Sequence, residues 1–274
     1  MRALSAIRAE IRRDWRAIHA KARTKRAALR ALPKNPTLLG TGTKTEKGEG
    51  YGYLTSVVYM SPAREAFEAG DKRTLCPMAT AACSAACLGS KAGRMIFPPV
   101  KRSRLWKATL YLGARDLWRE LLAAEVSSFA RSAERIGLRP VVRVDGSTDT
   151  GEGARLVERF PSVTFYDYSK VPTRALAHAG DPSYRVTFSY SGQNAADALK
   201  VLAAGGSVAV VFATPKGGAL PTHWQGAPVV DGDVTDLRFL DPMGGVVVGL
   251  RFKAAKGRAP AMHAAVLGGF AVEA

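Results

Sequence analysis

The sequence predicts an α/β fold, a complete or partial (β/α) barrel of parallel strands preceded by an N-terminal basic helix. Three observations carry that prediction. From residue 51 onward, short β-type runs alternate with helical ones, the pattern of repeated βα units and a parallel sheet. The run Ser207-Val-Ala-Val-Val-Phe212 is almost wholly apolar and bounded by turns, as a strand covered on both faces is. The loops that follow the strands are polar or charged, while the opposite ends, such as Ala179-Gly180-Asp181 and Ala204-Gly205-Gly206, carry less chemistry. In barrels of this kind the reactive groups collect where strands run out into loops. A doubly wound sheet is the other architecture open to about six such units.

The elements follow in order. Residues 1–36 form a basic helical arm: Leu4, Ile7, Ile11, Trp15 and Ile18 recur at steps of three and four, giving an amphipathic helix with a narrow apolar stripe, stopped by Pro33 and Pro36. Residues 37–274 form one barrel-like domain. After a glycine- and threonine-rich link at 40–50, residues 51–59 read as a strand. The stretch 101–136 is helical, broken near Gly113 and closed by Gly137. Strands at 140–144, 163–167, 184–189 and 207–212 alternate with helices at 152–160, 171–179 and 194–204, and 227–230 and 245–250 are further strand candidates.

Composition narrows the class. A chain of 274 residues that is 47% hydrophobic can bury a substantial core, which excludes a disordered polymer. Its formal charge is +17, a field that attracts polyanions such as nucleic acid or a phosphorylated metabolite. The segment 1–36 holds eleven Lys and Arg against two acids, about half of the excess. That arm either binds nucleic acid or lies as a solvated helix packed by its stripe onto the domain. No apolar run is long enough to cross a bilayer, and the N-terminus lacks a signal-peptide core, so a cytoplasmic setting without membrane contact is expected.

The three cysteines stand together as Cys76-Pro-Met-Ala-Thr-Ala-Ala-Cys83-Ser-Ala-Ala-Cys87. An odd, bunched set is unlike a disulfide framework and suits a reducing compartment. Three thiolates in one loop are a metal-site pattern, and three ligands leave one iron of a [4Fe-4S] cluster open. Zinc is the alternative; it needs a fourth ligand, and His19, His178, His223 and His263 are all distant in sequence.

The other strand exits supply Asp145-Gly-Ser-Thr-Asp149, Tyr166-Asp-Tyr-Ser-Lys170, Ser189-Tyr-Ser191, Thr214-Pro-Lys216 and Asp231-Gly-Asp233. Asp167 and Lys170 are the candidate catalytic acid and base, with two rings beside them for stacking. Gly146 lets backbone approach a ligand, and Asp145 or Asp149 can pair with an ammonium; the same residues can instead form an Asp-rich turn capping the next helix. Asp231, Asp233, Asp236 and Asp241 are Mg²⁺ candidates or turn residues. Lys91, Arg94, Lys101, Arg102, Arg104 and Lys107, with Phe97 and Trp106, can track a phosphate backbone beside the cysteines or form a solvated helix face.

A three-cysteine loop after the first strand of a βα-repeat barrel resembles the radical S-adenosylmethionine enzymes over roughly residues 51–212. That resemblance implies a [4Fe-4S] cluster on Cys76, Cys83 and Cys87 whose open iron chelates S-adenosylmethionine, with Asp145, Gly146, Ser147, Asp149 and Ser189 holding the cofactor. The stretches Tyr51-Gly-Tyr-Leu-Thr, Leu75-Cys-Pro, Ala86-Cys-Leu88, Val144-Asp-Gly-Ser-Thr-Asp149, Phe165-Tyr-Asp-Tyr-Ser-Lys170, Val230-Asp-Gly-Asp233 and Asp236-Leu-Arg-Phe239 also resemble an uncharacterised family encoded mainly by phages and prophages. It implies phage nucleic-acid metabolism in the cytoplasm of a bacterial host. The expectation is an iron-sulfur, radical S-adenosylmethionine-like enzyme acting on a nucleotide or nucleic acid, for instance in base modification. The alternatives are a non-catalytic nucleic-acid-binding protein with structural zinc or a structural cluster, and a metal-dependent nuclease using the aspartates.

Overall fold

Why helix 1 lies against the domain follows from its own stripe. The computed structural model describes residues 2–24, 26–41, 46–62, 65, 74–87, 93–253 and 268–273. In it, α1 (Leu4–Ala22) buries Ile7, Ile11, Trp15, Ile18 and Ala22 against the helices that precede the second parallel strand. The chain then passes through β1 (Leu39–Gly40) and β2 (Tyr53–Val58), the short α2 (Ala81–Ala85) inside the cysteine loop, and the long pair α3 (Pro98–Gly113) and α4 (Arg115–Arg135). Gly113 sits where α1 crosses: a Cβ there would collide with the Ile18 carbonyl, so the predicted break at this glycine is also a close-packing site. Gly137, at φ 71°, ends α4 as expected; its N–H donates to the Glu134 carbonyl and that of Leu138 to the Ala133 carbonyl, the paired bonds of a Schellman end.

Strands and helices then alternate as β3 (Arg139–Arg143), α5 (Ala154–Val157), β4 (Thr164–Ser169), α6 (Pro172–Ala177), β5 (Tyr184–Ser189), α7 (Ala195–Ala203) and β6 (Ser207–Phe212). The later strands are β7 (His223–Trp224), β8 (Ala227–Asp231), β9 (Val247–Arg251) and β10 (Ala271–Val272). The sheet order is β1-β2-β3-β4-β5-β6-β9-β8-β7, with β10 also paired to β6. All pairings are parallel except β1 with β2 and β7 with β8.

The order never reverses between β2 and β6. Right-handed crossovers in a sheet that advances in one direction all lay their helices on the same face, which removes the doubly wound alternative. One core accordingly joins Val142, Val144, Phe165, Val186, Phe188, Val208 and Val210 to residues of α1, α3, α4, α6 and α7. The complete barrel is not formed. β1 and β7 stand at opposite ends of the sheet, and the helix-free face is covered instead by the segment around a 3₁₀ turn at Arg238–Leu240. Leu237 and Phe239 there pack on Tyr53, Val141 and Tyr166, with the Phe239 ring 5.0 Å from Tyr53 and 5.8 Å from Tyr166. The candidates at 227–230 and 245–250 are strands, but β9 enters between β6 and β8 rather than extending the series. β7 and β8 form a tight hairpin through Gln225 and Gly226, both at positive φ, as a two-residue turn between twisted strands requires.

Candidate functional site at the strand exits

The first two parallel strands end in loops that are bonded to each other. Beyond β2 the Val58 carbonyl accepts the Gly146 N–H at 3.0 Å, and the Met60 carbonyl accepts the Ser147 hydroxyl at 2.6 Å. Gly146 has no side chain because the Tyr59 ring would stand 2.8 Å from a Cβ. The cysteine loop is seated on the same segment: the Leu75 carbonyl accepts the Asp149 N–H at 2.8 Å, and the Cys76 thiol lies 3.9 Å from the Ser147 carbonyl oxygen. Cys76 therefore neighbours the Asp145–Asp149 loop, as the placement of both at strand exits predicts.

The carboxylates of that loop organise backbone. Asp145, 2% exposed, accepts the hydroxyls of Thr148 and Thr150 and the N–H groups of Thr150 and Gly151 at 2.7–2.9 Å. Asp149 accepts the Ser169 hydroxyl and the Lys170 N–H, each at 2.8 Å, and pairs with Arg174. The oxygens of both are occupied by the chain itself, Asp145 holding its own loop and Asp149 tying that loop to the end of β4; neither caps the helix that follows. Lys170 is half-buried at the end of β4.

Asp167 is on the helix side of β4, under Gly153. It accepts the Asp145 N–H at 2.6 Å and the Tyr184 hydroxyl at 2.8 Å. Burial, with the Asp145 charge next to it, pushes its carboxyl up to about 8. Ser189 ends β5, two strands beyond β3, with its carbonyl bound by the Asn194 side chain; it stands apart from the joined loops of β2 and β3.

The three cysteines are half-buried. Thr80 caps α2 by accepting the Cys83 N–H at 3.1 Å, and Thr74 accepts the Cys76 N–H at 3.0 Å. Among the described residues, no three His, Cys, Asp or Glu side chains are grouped so as to hold a metal ion. Of the histidines proposed to complete zinc, His178 lies 3.0 Å from Asp181 and His223 is on β7, while His263 lies outside the described residues.

The aspartates offered to Mg²⁺ each face a cation. Asp231 and Asp233 pair with Arg251, and Asp233 also with Lys253; Asp236 pairs with Arg143 and Asp241 with Arg238. The basic run after the cysteines is divided as well. Lys101 and Arg102 are exposed, but Arg104 is buried against Glu65, Trp106 is core, and the Lys107 ammonium donates to the Leu38 carbonyl at 2.6 Å. Burial lowers Lys107 to about 8, with Glu125 opposing. Lys91 and the Arg94 side chain lie outside the described residues. On α1 the cationic side remains outward, with Arg12, Arg13, Arg16, Lys21 and Arg23 exposed, while Arg8 is turned to Glu125 at 3.2 Å.

The helix-free face brings Arg143, Arg185 and Thr187, which were not anticipated as site residues, together with the candidates Tyr166, Tyr168 and Asp236. Strand alternation puts Arg143 of β3 with Tyr166 and Tyr168 of β4 and Arg185 and Thr187 of β5. Asp236 joins them from the covering segment, 3.3 Å from both the Arg143 guanidinium and the Tyr166 hydroxyl. The available signal was a charge inside an apolar parallel strand, Val141-Val-Arg143 and Tyr184-Arg-Val186: a strand covered on both faces cannot leave such a charge to solvent.

A parallel sheet wound in one direction, with helices on one face and interlocked exit loops, defines this chain as an α/β protein with an open, mostly parallel sheet. It belongs to the Gene product 88 family, a phage-type family whose model matches residues 20–265, which bears out the phage-family resemblance. No curated protein and no solved structure matches the chain. No likeness to radical S-adenosylmethionine enzymes is shown. Among the described residues, no helix is long and apolar enough to cross a membrane.

Proposed function

We propose that this protein is an enzyme acting on a nucleotide or nucleic-acid strand at the rim formed by the exits of β2, β3 and β4. The observation that carries the reading is the seating of the cysteine loop on the Asp145–Asp149 loop through Leu75, Cys76, Ser147 and Asp149. That contact joins the cysteine-bearing loop to the Asp145–Asp149 loop, whose Gly146 packs closely on Val57 and Tyr59. A formal charge of +17 suits a polyanionic substrate, and membership of a phage-type family suits nucleic-acid metabolism in the host cytoplasm, where thiols stay reduced.

A [4Fe-4S] cluster on Cys76, Cys83 and Cys87 with S-adenosylmethionine is the cofactor set implied by the resemblance. When bound, it would supply radical chemistry. Its three protein ligands would all come from the one loop at 76–87. Anaerobic reconstitution with iron and sulfide tests this. A broad visible charge-transfer absorption, lost when the three cysteines are replaced by alanine, supports the cluster; one zinc per chain and no iron contradicts it.

The exposed cations of α1 favour a second reading, a non-catalytic nucleic-acid-binding protein. In that case oligonucleotide affinity falls steeply with salt and is reduced by charge reversal at Arg16 and Lys21, while the triple cysteine variant binds as well as the parent.

A further inference from the structure

We propose that Arg143, at the strand-exit end of the helix-free face, binds a phosphate group of the nucleotide or strand. The identity of the ligand rests on the nucleic-acid reading above; the site itself rests on the geometry of Arg143.

Arg143 is the last residue of β3, two positions before Asp145, so it stands beside the joined exit loops. Its side chain is 14% exposed and lies over the Tyr168 ring at 4.5 Å and the Tyr166 ring at 6.0 Å. A guanidinium carries five N–H donors and does not lose its charge. Among the described residues, the one side-chain hydrogen bond of Arg143 runs from Nη1 to Asp236 at 3.3 Å, beyond the usual range. The same Asp236 oxygen is the acceptor for the Tyr166 hydroxyl, also at 3.3 Å, so one distant oxygen serves two donors. Among the described residues, Arg143 Nε is buried with no partner, and on the same face so are the hydroxyls of Thr55 and Thr187.

A buried, permanently charged fork with unused donors, lying over the Tyr168 ring, is matched to an oxyanion that can accept two parallel N–H bonds. A phosphate provides three acceptor oxygens for that purpose. The adjacent Tyr168 and Tyr59 rings offer the stacking surface that an attached base needs; Tyr59 stands beside Gly146 of the joined exit loops.

The test titrates the full chain calorimetrically with inorganic phosphate, a nucleoside monophosphate, the corresponding nucleoside and a short single-stranded oligonucleotide. The monophosphate is expected to bind at least about tenfold more tightly than the nucleoside, and Arg143→Met to lose at least about tenfold for phosphate and monophosphate. Asp236→Asn, which keeps the guanidinium and removes the competing charge, is expected to bind phosphate more tightly, and it decides the matter if Arg143→Met does not fold. Absence of phosphate binding, an unchanged affinity in a folded Arg143→Met, or an unchanged or weaker affinity in Asp236→Asn overturns the site. Oligonucleotide binding that persists undiminished in a folded Arg143→Met sinks this site and leaves the rim reading standing. Arg143-dependent binding of inorganic phosphate, to which the nucleoside portion adds nothing, supports the phosphate site and removes the nucleotide reading.

Discussion

Enclosed carboxyl groups are where single residues exert the largest influence here. Asp167 is pushed up to about 8 by burial and by Asp145, so at neutral pH the folded chain retains a proton that the unfolded chain gives up near pH ~4. Its contribution to stability is fully present below that lower value and is lost as pH rises through about 8. Asp167→Asn should therefore flatten the decline of unfolding free energy across that window and exceed the parent by at least ~1 kcal/mol at pH 8; chemical denaturation at a series of pH values checks it, and parallel curves would refute it. Gly146→Ala would press a methyl group on Val57 and the Tyr59 ring, and should cost ~1–3 kcal/mol, read as a lowered denaturant midpoint. The sequence alone made Asp145, Gly146 and Asp149 visible as a turn, because Asp, Gly and Thr are turn-forming residues in their own right. It did not reveal Arg143 or Asp236 as partners, since 93 positions separate them and no local pattern expresses a pairing between a strand and a distant 3₁₀ segment.

Among the elements, α1 joins the domain through a stripe rather than projecting as an arm. Its apolar positions recur every third or fourth residue and all meet the helix layer, with the Trp15 indole N–H donating to the Leu29 carbonyl at 3.2 Å. Trp15→Ala should destabilise the whole domain by ~3–5 kcal/mol in a single cooperative transition. A separately folding arm would instead leave the main transition unmoved in thermal denaturation followed by circular dichroism. Long periodic elements such as α1 and α4, and the apolar runs of β5 and β6, were legible because burial imposes a period that the sequence must repeat. The two-residue strands β1, β7 and β10 were not: a strand that short carries no period, and its pairing is decided by the neighbour it meets. The insertion of β9 between β6 and β8 was hidden for the same reason, as strand order is a property of long-range contacts.

For the molecule as a whole, the sheet stays open because the segment 235–241 fills the face that a closed barrel would turn inward, bringing Asp236 and Arg238 with it. Closure was the expectation from alternating strands and helices, yet alternation dictates only parallel pairing and crossover hand; it does not set how far the sheet continues. What alternation did place was the gathering of reactive loops at one end, where Leu75 and Cys76 meet Ser147 and Asp149. The proposed nucleotide or nucleic-acid ligand is engaged at that rim. Zero-length ultraviolet crosslinking of a single-stranded oligonucleotide to the full chain, with the attachment sites mapped by mass spectrometry, tests it most directly. The account predicts crosslinks within residues 59–62, 74–87, 143–151 and 168–170. Crosslinks confined to α1, or none at a concentration that saturates binding, would contradict it.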